Sequence, residues 1–167
     1  SIEHGNLIDA PTAALMAERG AFAVPTLITY EALARDGARL GLGAESVAKI
    51  EQVRAAGLKS LEILKTAGVR MAYGTDLLGA SHDLQSEEFL IRAQVQSNLE
   101  VLQSATLIGA ELLNQVGMIG EIAAGARADL LLVDGNPLAD LACLTGQGER
   151  IPLVMQGGKL RVNELRA

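Results

Sequence analysis

His4 and Asp76 are the side chains of this sequence best placed to do chemistry. One stands in SIEHG and the other in MAYGTDLLG, each where a short apolar run stops abruptly in polar residues and a glycine. A neutral imidazole ligates zinc-like ions. A carboxylate can ligate the same kind of ion and also take a proton from water. Each residue has a plainer reading: a histidine hydrogen-bonded at a strand end, and an aspartate capping a helix N-terminus. His82 is the other histidine, six residues past Asp76 and beside Gly79 and Ser81. It reads as a loop residue that touches substrate or simply faces water. Two ligands are fewer than the three that protein usually gives a catalytic zinc, so spacing alone yields no specific motif. Glu87-Glu88 reads as a charged helix start that suits the dipole. Glu3 should point away from the face of His4, and Cys143, with no basic neighbour to activate it, reads as structural.

The elements that must position these residues alternate. Ser1 to His4 is a short strand released by Gly5. DAPTAALMAERG reads as a helix with Asp9 as N-cap, Pro11 in the first turn and Gly20 just past its end. AFAVPTLITY suits a strand around Val24, with Pro25 near its end. Val47, Ile50, Val53, Ala56, Leu61 and Leu64 recur at close to helical spacing, predicting a helix over Ser46 to Ala67 that Gly68 ends. VRMAYGTD is the next strand. Two helices follow, Gln85 to Gln96 and Leu99 to Gln115, with Asn98 as a cap between them. Strand, helix, strand, helix, strand predicts a parallel sheet with crossover helices.

Beyond Val116 the texture changes to short strands broken by glycines, of which Leu130 to Val133 is the most apolar. Pro152 to Gln156, Gly157-Gly158 and Lys159 to Val162 read as a hairpin with a two-glycine turn. A boundary is expected near residue 117, giving an α/β segment at 1–116 and a small antiparallel β segment at 117–167.

Composition narrows the classes. At 167 residues there is one domain's worth of material, and half the residues are hydrophobic, so a buried core is within reach. A net charge of −6 and a pI near 4.9, with no basic stripe, argue against nucleic acid as a partner. No apolar run is long enough to span a bilayer, so no membrane partner is expected. The lone cysteine excludes an internal disulfide and fits a reducing cytoplasm slightly better than an oxidising compartment. Ser1 lies directly beside a strand, which suggests a fragment or processed piece.

Order and context add the specificity that spacing lacks. The sequence resembles the C-terminal part of the amidohydrolase superfamily, in its prolidase-like and imidazolonepropionase-like branch. The resemblance rests on SIEHG, VPTL, YGTD and SATLIGAELLNQVGMIGEIAAGARADLLLVDGNPL, and covers nearly the whole chain. It implies the last strands, six to eight, of a TIM-type (β/α)8 barrel, followed by the returning part of a small β-sandwich. It implies that His4 ligates the second of up to two divalent ions, zinc being the expected one. It also implies that Asp76 ligates the first ion and acts as catalytic base, and that His82 faces the substrate. The family's first-strand His-x-His pair, fourth-strand carboxylated lysine and fifth-strand histidine have no counterpart here. The expected function is hydrolysis of C–N bonds in small peptides or cyclic amides, with this piece inactive alone. The alternative is a non-catalytic α/β fragment that self-associates without a working metal site. Three strands cannot close a barrel, so a homo-oligomer is expected.

Overall fold

The computed structural model describes residues 1–165 and has a mixed α/β fold. Strands β1 (Ile2–Glu3), β2 (Phe22–Val24) and β3 (Arg70–Met71) form one parallel sheet in the order β1-β2-β3. Ile2 stands opposite Ala23, and Ala23 opposite Met71. The connections are helical: α1 (Ala10–Glu18) between β1 and β2, then α2 (Leu27–Asp36) and α3 (Ala44–Thr66) between β2 and β3. Ala13 and Met16 of α1 and Leu61 and Leu64 of α3 bury against Ala23 and Met71, and this apolar cluster fixes the sheet. With scarcely any aromatics, the core is packed from aliphatic side chains and methionine.

Local chemistry explains α1. The Thr12 N–H donates to Asp9 Oδ1 at 2.9 Å, Pro11 occupies the first turn, and Gly20 adopts φ 64° just past the end.

The strands are shorter than the sequence predicts. YGTD is not strand; the chain leaves β3 at Met71 and reaches Asp76, five residues on, without regular secondary structure. Gly74 is required on this path, because a Cβ there would lie 2.5 Å from Val24 Cγ1. Residues 27–36, given no helix in the sequence reading, form α2 instead. The segment around His82 is a 3₁₀ helix over Gly79–Glu87 and not an open loop. It leads into the short α4 (Glu88–Arg92). The next helix splits into α5 (Asn98–Ala105) and α6 (Leu107–Leu112), and its cap is Ser97, not Asn98. Ser97 and Glu100 cap each other reciprocally, which accounts for the one-residue difference.

Strands β4 (Leu130–Leu132), β5 (Leu153–Gln156) and β6 (Lys159–Asn163) form an antiparallel sheet, with Gly157-Gly158 making the β5–β6 turn at positive φ. The Gly157 N–H donates to Asp129 Oδ1, which holds that turn against the entry to β4. No strand forms over residues 117–129; turns tied by the Arg127 N–H to the Met118 carbonyl replace the short strands expected there. A second apolar cluster, Val101, Leu141, Cys143 and Leu144, packs on Phe89 and Val133 and so joins the two sheets' surroundings. Cys143 is buried within it, as its structural reading required.

Candidate functional site

The parallel order brings His4 and Asp76 together from opposite edges of the sheet. His4 follows β1 directly, with its N–H donating to the Val24 carbonyl, and Asp76 follows β3. His4 Nε2 lies 3.9 Å from Asp76 Oδ2, with both side chains about half exposed. Both backbones are left-handed, at φ 66° for His4 and φ 50° for Asp76. Left-handed non-glycine residues cost about 1–2 kcal/mol each, and they persist where the surroundings impose them. Asn114 and Gln147 share this conformation, but only His4 and Asp76 among the four face each other, at two strand exits.

The first turn of α2 supports both. Nδ1 of His4 shares a hydrogen bond with Oγ1 of Thr26 at 2.8 Å, and Thr29 Oγ1 donates to the Asp76 carbonyl at 2.8 Å. With the proton on Nδ1, the lone pair of Nε2 is left free toward Asp76. Tyr30 stands in the same turn; burial, and then the nearby Asp76 carboxylate, push its phenol above the ordinary tyrosine range. The phenol therefore stays protonated beside the aspartate at neutral pH.

Two charged groups lie behind this turn. Glu88 and Arg92 sit one turn apart on α4 and are both fully buried. Glu88 Oε2 accepts the Ile28 N–H at 2.7 Å. Burial is the main cause pushing its carboxyl up to about 7, partly offset by the Ile28 N–H and by the positive charge of Arg92. Arg92 donates through Nη1 to the Ala72 carbonyl and to Ser104 Oγ, and through Nε to Gln96 Oε1. Glu88 is thus an internal anchor and not the solvated helix-start charge its Glu-Glu context suggests. Sequence reasoning did not single out Thr26, Thr29, Tyr30 or Arg92. VPTL entered only as a motif of the resemblance, with no role given to Thr26, and the Thr-x-x-Thr spacing of VPTLITY matters only once α2 is known to be a helix.

His82 is exposed and lines a cleft of about 790 Å³ with Tyr73, Thr75, Gln85 and Phe89. His4 and Asp76 are not in that lining. Among the described residues, no third His, Cys, Asp or Glu joins His4 and Asp76 in a group able to hold an ion.

The sequence signature described as "Amidohydrolase family" matches residues 1–160. The chain belongs to the amidohydrolase family. The ochratoxinase of Aspergillus niger is 30% identical over 162 residues, covering 96% of this amidohydrolase chain and 33% of that protein. Solved structures agree. An amidohydrolase crystal structure superposes with a TM-score of 0.96 at 59% identity, covering 99% of this chain and 40% of that one. A prolidase complexed with N-methylphosphonate-L-proline gives a TM-score of 0.93 at 53% identity, over 97% of this chain and 40% of that one. The amidohydrolase chain spans about a third of the length of the curated relatives it matches.

Proposed function

We propose that this chain is the C-terminal portion of a metal-dependent hydrolase of C–N bonds, acting on small peptides or cyclic amides. Residues 1–116 supply strands six to eight of the barrel, and 117–167 supply the returning part of the small β-sandwich. The observation that carries this reading is the approach of His4 Nε2 to Asp76 Oδ2, 3.9 Å apart at two strand exits. The ochratoxinase and prolidase likenesses support an amide or peptide substrate.

The donor set fits a divalent ion in part. The resemblance assigns His4 and Asp76 to two neighbouring ions, and their 3.9 Å separation puts one nitrogen and one carboxylate oxygen, donors that suit zinc, at one shared site. Thr26 fixes the imidazole behind Nε2, as an outer-shell partner does for a ligating histidine. A bound ion supplies Lewis acidity toward the carbonyl and lowers the pKa of water. Asp76 takes the proton from the attacking water and hands it to the leaving nitrogen. Tyr30 keeps its proton beside Asp76, and His82 faces the substrate from its 3₁₀ helix. Two ligands cannot complete the shell of even one ion, so binding by this chain should be weak and turnover low or absent until further strands are supplied.

The test is a zinc titration of the chain beside His4→Ala and Asp76→Ala, with a dipeptide hydrolysis assay on each. Weak binding that disappears in both variants is expected. Tight stoichiometric zinc, or turnover, that survives both substitutions would remove these residues from the site.

The same reading carries a proposal about assembly. β1 and β3 are edge strands, and Ile2, Leu7 and Leu15 are exposed beside β1 and α1. Open edges and an uncovered apolar face favour association, so we propose a homo-oligomer. Sedimentation velocity at high concentration should show a dimer or larger species. A well-folded monomer under those conditions would refute it.

A further inference from the structure

Thr26 occupies the N-cap position of α2, where a threonine normally turns its hydroxyl onto the second or third helical N–H. Here it makes no such bond, and its Oγ1 lies instead 2.8 Å from His4 Nδ1. The orphaned first-turn donor at Ile28 is satisfied from sixty residues away, by Glu88 Oε2. Glu88 is fully buried, and its other oxygen, Oε1, has no hydrogen-bond partner. A buried carboxylate with one free oxygen is a costly way to fill space, which an aliphatic side chain would fill at no polar cost. What the carboxylate supplies is a cap for α2 that does not use Thr26. From the same short helix, Arg92 grips the Ala72 carbonyl, on the path from β3 to Asp76.

We propose that Glu88 is a positioning residue: by capping α2 through the Ile28 N–H, it frees the Thr26 hydroxyl to hold His4 with Nε2 turned toward Asp76. The inference rests on the reading of His4 and Asp76 as a metal pair, and it adds a group that touches neither. Without the carboxylate, Thr26 stands at the N-cap, the position from which a hydroxyl normally satisfies the first-turn N–H groups, and turning onto them means releasing the imidazole. Thr29, one turn along, would shift with the same backbone and carry the Asp76 carbonyl with it.

The experiment reads the two histidines by imidazole ¹⁵N spectra in the metal-free chain, then titrates zinc, for wild type, Glu88→Ala, Glu88→Gln and Thr26→Val. Wild type should show His4 in one tautomer. Glu88→Ala should show mixed tautomers at His4 with His82 unchanged, and a zinc affinity lower by about tenfold or more, the scale of lost outer-shell partners. Thr26→Val should reproduce both effects. Glu88→Gln keeps a carbonyl oxygen for Ile28 and should stay near wild type in both readouts, a rescue that a simple loss of charge does not predict. If Glu88→Ala does not fold, Glu88→Asp takes its place, since it keeps the charge but is one methylene too short to reach the N–H. A folded Ala or Asp variant with the wild-type His4 spectrum overturns the proposal, however much its melting temperature falls. If His4→Ala binds zinc as wild type does, the metal reading fails on its own, and the tautomer readout still decides the role of Glu88.

Discussion

Arg92→Ala should destabilise the chain by about 3–5 kcal/mol, the scale of removing one member of a buried charged network. The guanidinium is fully buried, and its three hydrogen bonds go to the Ala72 carbonyl, Ser104 Oγ and Gln96 Oε1. Truncation leaves those acceptors without their donor, opens a cavity, and strips Glu88 of the positive charge that partly offsets its burial. Domains of this size are stable by only about 5–15 kcal/mol, so the variant would lie near the edge of folding. Arg92→Lys should recover little, because an ammonium is a compact point charge and cannot reproduce a planar fork that serves three partners. Urea unfolding is the measurement. A midpoint close to wild type for Arg92→Ala would mean that water replaces the network, and that its bond to the Ala72 carbonyl does not hold the path from β3 to Asp76.

The second large effect is a dependence of stability on pH centred on Glu88. Its carboxyl is raised from 4.5 to about 7 in the folded chain, first by burial. The folded state therefore holds this proton more tightly than the unfolded state does. The stabilisation is fully present below pH 4.5, is lost as pH rises toward 7, and changes no further above that. A shift of this size corresponds to about 3 kcal/mol. Glu3, Asp9, Asp36 and Glu100 act in the opposite sense, since hydrogen bonds hold them below the ordinary carboxylate range. Their contribution is lost only as pH falls below their ordinary carboxylate values, and that of Glu88 only above them, so the two windows separate. Stability should peak near pH 5 and fall toward neutrality. In Glu88→Gln the fall between pH 5 and 8 should flatten. Denaturation midpoints across that range check it, and a wild-type curve that is flat or rising from pH 5 to 7 would show Glu88 ionised without penalty.

What could be read directly from the sequence was local. Asp9 caps α1 because an aspartate two residues before Pro11 meets the first free N–H groups of the chain that follows. Gly157-Gly158 makes the β5–β6 turn because both residues must take positive φ, which glycine does at no steric cost. The apolar spacing through Leu61 and Leu64 placed α3, and the strand–helix alternation gave the parallel order that lets His4 and Asp76, distant in sequence, face one another. His4 and Asp76 were visible as chemical residues, because a histidine and an aspartate beside glycines at the ends of apolar runs stand out in a chain with two histidines.

Tertiary structure decided the rest. VPTLITY, rich in β-branched residues and holding Tyr30, favours a strand on propensity. It becomes α2 because its first turn is capped by a carboxylate sixty residues away and its Ile28 and Ala32 are buried beside Leu77. Glu87-Glu88 looks like one solvated pair, yet the chain buries Glu88 completely, and nothing in the two letters tells them apart. The left-handed backbones at His4 and Asp76 were equally invisible, since a non-glycine residue adopts that conformation only when its surroundings outweigh its own preference. Capping, turn chemistry and periodicity act over a few residues and leave their mark in the sequence. The Thr26, Thr29 and Glu88 contacts join segments up to sixty residues apart, and only the packed chain brings them within a hydrogen bond.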